Sequence, residues 1–384
     1  MMQQRALANK RLPKRALLRR WGTLIALVLF SAGCAPAEPP ATSGTPSSEP
    51  DKLPIKSVVV TMFEHGEVTG DRPGELQYWV EDFPFTQSLD FPLGEYPLFY
   101  NADKQVLAIC VGGGIPNATA SIMALGLDSR FDLRQAYWLI AGIAGGDPLD
   151  TTLGSAAWAN HVVDGDLLYE IDAREIPASW PYGIIPLGGE APATSPEDIY
   201  TGWTVDTIHF ALNADLATWA YETSKSVSLI DTPEMQAYRA QYEGLPKAQA
   251  APSVHMGDTL SASTYWHGEL LNNWANDWIK LYAGQDTNFV TSNMEDSGTL
   301  TALHRLDRTG LIDADRVMVL RTISNFTYPP PGKTADWSAT ADYPNRGQPA
   351  LRAAFTVGAE VVNEISDNWL KYAEDIPART DPQE

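Results

Sequence analysis

The chain is 384 residues long and carries 48 Asp and Glu against 27 Lys and Arg, a net charge of −21. So acidic a surface repels nucleic-acid polymers, whose binding rests on cations that neutralise backbone phosphates, and disfavours highly charged nucleotides. The six histidines, at 65, 161, 209, 255, 267 and 304, show no metal-ligand spacing and there is no cysteine pair for a zinc site, so no metal or other cofactor is expected.

The amino terminus predicts export. Arg5, Lys10, Arg11, Lys14, Arg15, Arg19 and Arg20 precede an apolar run over 21–30 and the small residues Ser31, Ala32 and Gly33, the layout of a secretory signal. The run is too short to span a bilayer, which takes about 20 apolar residues. Small residues leading straight to Cys34 resemble a bacterial lipoprotein cleavage site. Residues 1–33 are therefore read as a leader and Cys34 as the lipid anchor, with cleavage near Ala37 as the alternative. The expected location is the periplasm, the outer membrane or the cell surface, with the membrane touched only through the lipid. Losing the leader would cut Lys and Arg from 27 to 20 and leave all 48 acidic residues, a net charge of −28. Only Cys110 would then remain unmodified, so no intrachain disulfide is expected.

Residues 34–53 are rich in Pro, Ser, Thr and Ala, too poor in large apolar groups to offset ordering, and read as a flexible tether. Residues 54–384 read as one domain. Strands are predicted over 56–62, 106–111, 136–141, 162–171, 226–230, 288–291 and 316–323. Helices are predicted over 117–124, 205–221, 233–242, 265–282, 298–306 and 350–372. Short apolar strands interleaved with helices predict an α/β fold with a mixed, largely buried central sheet flanked by helices.

Two glycine clusters follow predicted strands: Gly112-Gly113-Gly114, leading to Asn117 as a helix cap, and Gly142-Ile143-Ala144-Gly145-Gly146. In open α/β sheets ligands sit at the carboxyl ends of strands, where glycines let backbone N–H groups approach. Gly113, Gly142 and Gly145 are thus candidate binding positions, with plain tight turns as the alternative. Neither cluster matches a P-loop or dinucleotide fingerprint, and no serine sits in a Gly-x-Ser-x-Gly elbow.

The second half is more specific. Asp258-Thr259-Leu260-Ser261, Thr264-Tyr265-Trp266-His267-Gly268, Met294-Glu295-Asp296 and Leu320-Arg321-Thr322-Ile323-Ser324-Asn325, with the Pro329-Pro330-Pro331-Gly332 tail, occur in that order. Carried on these segments, the chain from about residue 56 onward resembles the purine nucleoside permease family, a distant branch of the nucleoside phosphorylase and nucleosidase fold. The resemblance implies a three-layer nucleoside-phosphorylase-like domain and a pocket for a neutral purine nucleoside of the inosine or guanosine type. It implies that Asp258 belongs to the pocket, that Met294 lies against the ribose, that Glu295 accepts from its hydroxyls, and that Asn325 holds the base. Charge-assisted bonds from two hydroxyls to one carboxylate suit that role.

Phosphorylases of this group place an arginine where this chain has Ile140, so phosphate is not favoured and water is the expected attacker. The resemblance points to Glu64 or Glu67, after the first predicted strand, as the base for that water, with Arg321 orienting the water or Glu295. An aromatic residue from 175–203 is a further candidate to stack on the base. The alternative is a non-catalytic binding component that delivers nucleosides to a membrane transporter. An oligomer is compatible with either reading.

Overall fold

The computed structural model describes residues 52–199 and 205–378. The expected leader, Cys34 and the tether up to residue 51 lie outside the described residues, as do residues 200–203 of the 175–203 segment. In chain order the principal elements are β1 (Ser57–Thr61), α1 (Glu75–Asp82), β2 (Gln87–Leu89), β3 (Leu98–Asn101), β4 (Val106–Cys110), α2 (Ile115–Gly126), β5 (Tyr137–Gly146), β6 (Ala156–Trp158), β7 (His161–Asp164), β8 (His209–Ala211), α3 (Ala214–Ser224), α4 (Pro233–Arg239), β9 (Val254–Met256), β10 (Asp258–Ser261), α5 (Glu269–Ala283), β11 (Phe289–Asn293), α6 (Asp296–Asp307), β12 (Val317–Phe326) and α7 (Gln348–Asp367).

Apolar residues at every position of β1 require both faces of the sheet to be covered. Val58 and Val60 pack with Leu107, Ile122 and Leu303 on the side of α2 and α6. Val59 points the other way, with Leu139, Val357 and Val361, under α7. The helix pair α2 and α6 therefore covers one face, and α1, α3 and α7 the other. The sheet runs β8-β7-β10-β11-β5-β1-β4-β3-β2, with β12 on β5 and β6, and β9 beyond β6. It is mixed: β1 runs parallel to β4 and β5, and β12 parallel to β5, whereas β11 and β5 are antiparallel. The chain is thus an α/β protein with a large mixed sheet between helical layers. Cys110 is a buried core residue.

Several predicted elements shift. The strand predicted over 136–141 runs on to Gly146, so the second glycine cluster is strand and not turn. The stretch 226–230 forms no strand, and 205–221 divides into β8 and α3, capped by Asn213 accepting from Leu216 N–H. The strand predicted over 162–171 breaks after Asp164 and a separate strand follows at Leu168–Glu170. Helix α2 begins before Asn117, with Gly114 at its cap in a left-handed conformation (φ 87°) that disfavours any other residue. Helix α1 was not anticipated: it spans eight residues, and only Leu76, Trp79 and Val80 mark its apolar face. Among the described residues no helix is long and apolar enough to cross a membrane.

Candidate functional site

A cavity of ≈ 170 Å³ opens at the carboxyl ends of β5 and β12, between Gly145, the 264–266 segment and the β11–α6 junction. Its wall contains Glu75, Met294, Glu295, Ser324, Asn325, Tyr265 and Tyr343. Strand β12 delivers Asn325 through an irregularity. The β12–β5 register slips between Ile323 and Asn325, which lies opposite Gly145. Such a bulge re-aims a side chain. A Cβ on Gly145 would stand 3.3 Å from Asn325 Nδ2, so the glycine leaves room for the amide.

Below the cavity lies a buried charge cluster. Arg321, fully enclosed, donates from Nε to Asp296 Oδ2 at 3.1 Å and from Nη1 to the Ile143 carbonyl at 3.0 Å, and Nη2 bonds Asp296 Oδ1. Glu295 lies 3.6 Å from Nη2. The Glu295 carboxylate accepts N–H bonds from Gly114 at 3.1 Å and Met294 at 3.2 Å. Burial lifts its pKa above the usual carboxylate range, against the pull of Arg321.

The fourth member of this cluster is Glu75, the first residue of α1. Its Oε2 accepts from Met62 N–H at 2.7 Å and its Oε1 from Ile143 N–H at 2.7 Å. Burial pushes its pKa up to about 8, Arg321 pulls the other way, and the Glu295 charge adds to the rise. A carboxyl that titrates near neutrality inside a cavity is suited to proton transfer.

The structure brings together Met294, Glu295, Asn325 and Gly145 at the cavity, with Arg321 and Gly142 directly beneath. Gly142 serves packing: a Cβ there would stand 2.6 Å from both Arg321 Nη1 and Glu75 Oε1. Other expected residues lie elsewhere. Glu64 is not in the cavity wall; it caps α1, accepting from Gln77 N–H at 2.6 Å and from Gly74 N–H. Glu67 is exposed on the same loop. Asp258 ties β10 to its neighbours, accepting from His161 N–H at 2.9 Å and Asn288 N–H at 3.2 Å. Gly113 is exposed, and the N–H of adjacent Gly114 is spent on Glu295 rather than on a ligand. None of the described residues 175–199 lines the cavity. Glu75 escaped the sequence reading because residues 63–74 separate it from β1. The one local signal was an acidic residue in a helical first turn.

Among the described residues no Lys or Arg lines the cavity, and Ile140 is fully buried between β1 and β12. Among the described residues no group of His, Cys, Asp and Glu could hold a metal ion.

The model of the purine nucleoside permease family matches residues 54–377. A purine nucleoside permease of Candida albicans strain SC5314 is 31% identical over 311 residues, covering 78% of this chain and 74% of that protein. A probable purine nucleoside permease of Schizosaccharomyces pombe is 30% identical over 281 residues, 71% of this chain and 80% of that one. Among solved structures, a 5′-methylthioadenosine/S-adenosylhomocysteine nucleosidase of Neisseria meningitidis is 15% identical. It covers 81% of this chain and 100% of its own, with a TM-score of 0.47. A futalosine hydrolase of Helicobacter pylori is 14% identical, covering 80% and 98%, with a TM-score of 0.46. By the family model and by the two permease relatives, the chain belongs to the purine nucleoside permease family.

Proposed function

We propose that this chain binds purine nucleosides in the cavity and hydrolyses their N-glycosidic bond. The observation that carries the reading is the Glu75 carboxyl, buried in one cavity with Glu295 and Asn325 and titrating near neutrality. Glu295 accepts from the ribose hydroxyls, and its charge favours the oxocarbenium-like sugar that forms as the bond opens. Glu75, when ionised, takes a proton from the attacking water. The water oxygen bonds C1′, the bonding pair leaves with the purine, and the proton taken up by Glu75 passes to the purine by way of water, which restores the carboxylate. Asn325 holds the base together with the Tyr265 hydroxyl it engages, and that hydroxyl is the donor for the charge change, an oxyanion-hole task in which one donor is worth roughly 2.7–4 kcal/mol.

Water is the favoured attacker because a phosphate dianion would find no cation among the described residues of the cavity wall, and Arg321 is already held by Asp296. A second reading is favoured by the permease relatives: the chain binds nucleosides without cleaving them and hands them to a membrane transporter. We also propose export and anchoring through a lipid on Cys34. Membrane pelleting of a Cys34→Ser chain would reject that anchor, and its release would support it.

The test is incubation of the protein with inosine, guanosine, adenosine and uridine, with and without phosphate, followed by chromatography of released base. Purine release without phosphate is the expected result. Release only with phosphate replaces hydrolysis by phosphorolysis, and tight binding without release leaves the uptake reading standing.

A further inference from the structure

Asn325 does not meet the cavity with a free amide. Its Nδ2 donates to Tyr265 Oη at 3.1 Å and to the Phe326 carbonyl at 3.2 Å, which occupies both N–H groups. Because a carbonyl only accepts, Phe326 fixes which end of the amide is nitrogen. Asn325 Oδ1 lies 2.9 Å from Ser324 Oγ, whose single O–H is shared with the Ala144 carbonyl at 3.2 Å, and it keeps at least one acceptor site. Tyr265 Oη in turn lies 2.8 Å from Tyr343 Oη. Whichever hydroxyl donates to the other, one O–H of the pair is left over. With Tyr343 as the donor of that bond, the O–H left over is that of Tyr265, and the site offers a base this hydroxyl donor and, on the Asn325 amide it touches, one acceptor.

Tyr343 reaches this position on a segment of its own. The strap over 332–347 leaves at Gly332 (φ 80°) and returns at Gly347 (φ 74°), with Asn345 (φ 51°) and Arg346 (φ 55°) also left-handed. Arginine rarely adopts that conformation, so something outside the strap must hold it. The holder is the start of α4. Glu234 accepts from Asn345 N–H at 2.9 Å and from its Nδ2 at 2.8 Å, and Thr232 Oγ1 donates to Asn345 Oδ1 at 2.5 Å. The start of α4 thus sets where the Tyr343 hydroxyl stands.

We propose that Tyr265 determines base specificity by engaging an Asn325 N–H, and that the strap, latched by Glu234, positions Tyr265 through Tyr343. The pocket then takes a base with an acceptor and an N–H donor side by side on one edge. Inosine offers O6 with N1–H, and adenosine offers N7 with its 6-amino group. Purine riboside, which has the same ring and no base N–H, leaves the Asn325 acceptor unmatched. This rests on the purine nucleoside reading above and requires binding, not cleavage.

The experiment is calorimetric titration of the full chain, native and variant, with inosine and purine riboside. The native protein is expected to favour inosine by about 10-fold, the scale of one hydrogen bond and one unmatched polar group. Tyr265→Phe frees an Asn325 N–H, which a ring nitrogen of purine riboside can accept, and should shrink the preference to about 2-fold. Glu234→Ala should weaken both ligands by a similar factor and leave their ratio at the native value, as should Tyr343→Phe. A Tyr265→Phe protein that binds with the native ratio overturns the specificity assignment. A native protein that binds both ligands equally overturns it without any variant. Native affinities in Glu234→Ala remove the latch. If the native protein binds neither ligand, the nucleoside reading falls and this proposal with it.

Discussion

Arg321 and Asp296 form a two-point ion pair in which neither side chain reaches solvent. The pairing leaves Glu295 at 3.6 Å from the same guanidinium, near enough to feel the charge without being bonded to it. Breaking a buried pair by removing one partner typically costs 3–5 kcal/mol, because the other charge stays buried alone. Arg321→Met should therefore lower unfolding free energy by roughly 3–5 kcal/mol, read by denaturant titration. A loss under about 1 kcal/mol, the range of exposed pairs, would mean that water reaches Asp296.

Glu75 should give activity and stability opposite pH trends. Its folded pKa is raised from 4.5 to about 8, so the folded state holds a proton that the unfolded chain has released. That contribution to stability is complete below 4.5 and is lost as pH rises through about 8. Hydrolysis needs the ionised form, so its rate should climb towards pH 8 and then level. Glu75→Gln should flatten the fall in melting temperature between pH 4.5 and about 8, and lower base release by about 10²–10⁴-fold. A variant with native turnover would remove the base role from Glu75.

Glu295→Ala separates the sugar from the base. The variant should lose affinity for inosine by about 10-fold or more, since charge-assisted bonds are the strong ones, while hypoxanthine binds as in the native protein. Equal losses for both ligands would indicate that the β11–α6 junction had collapsed, and retained inosine affinity would remove the ribose assignment.

Gly142→Ala places a methyl group 2.6 Å from Arg321 Nη1 and Glu75 Oε1, both held by other bonds. Overpacking of this kind costs about 1–3 kcal/mol and should move Glu75 off its two N–H donors. The expected outcome is reduced base release together with a lower melting temperature. Gly113→Ala, at an exposed site with no atom within 4 Å of the new methyl, is the control and should change neither.

What the sequence by itself determined was the layering and the identity of the second-half segments. Continuous apolar runs at β1, β4 and β12 demanded a sheet buried on both faces, and periodic segments supplied α2, α6 and α7. Met294, Glu295 and Asn325 stand in local motifs at strand ends, where a short stretch of chain carries its own positional meaning. Tertiary structure alone decided which carboxylate enters the cavity. Along the chain Glu64 follows β1 more closely than Glu75, but the loop over 63–74 folds back so that Glu64 caps α1 and Glu75 meets Ile143 on β5. It also decided that Gly142 belongs to a strand and makes room for Arg321, and that Tyr343 reaches Asn325 through Tyr265. Each of these depends on burial and contact between segments far apart in sequence, and both are properties of the packed chain that local spacing does not encode.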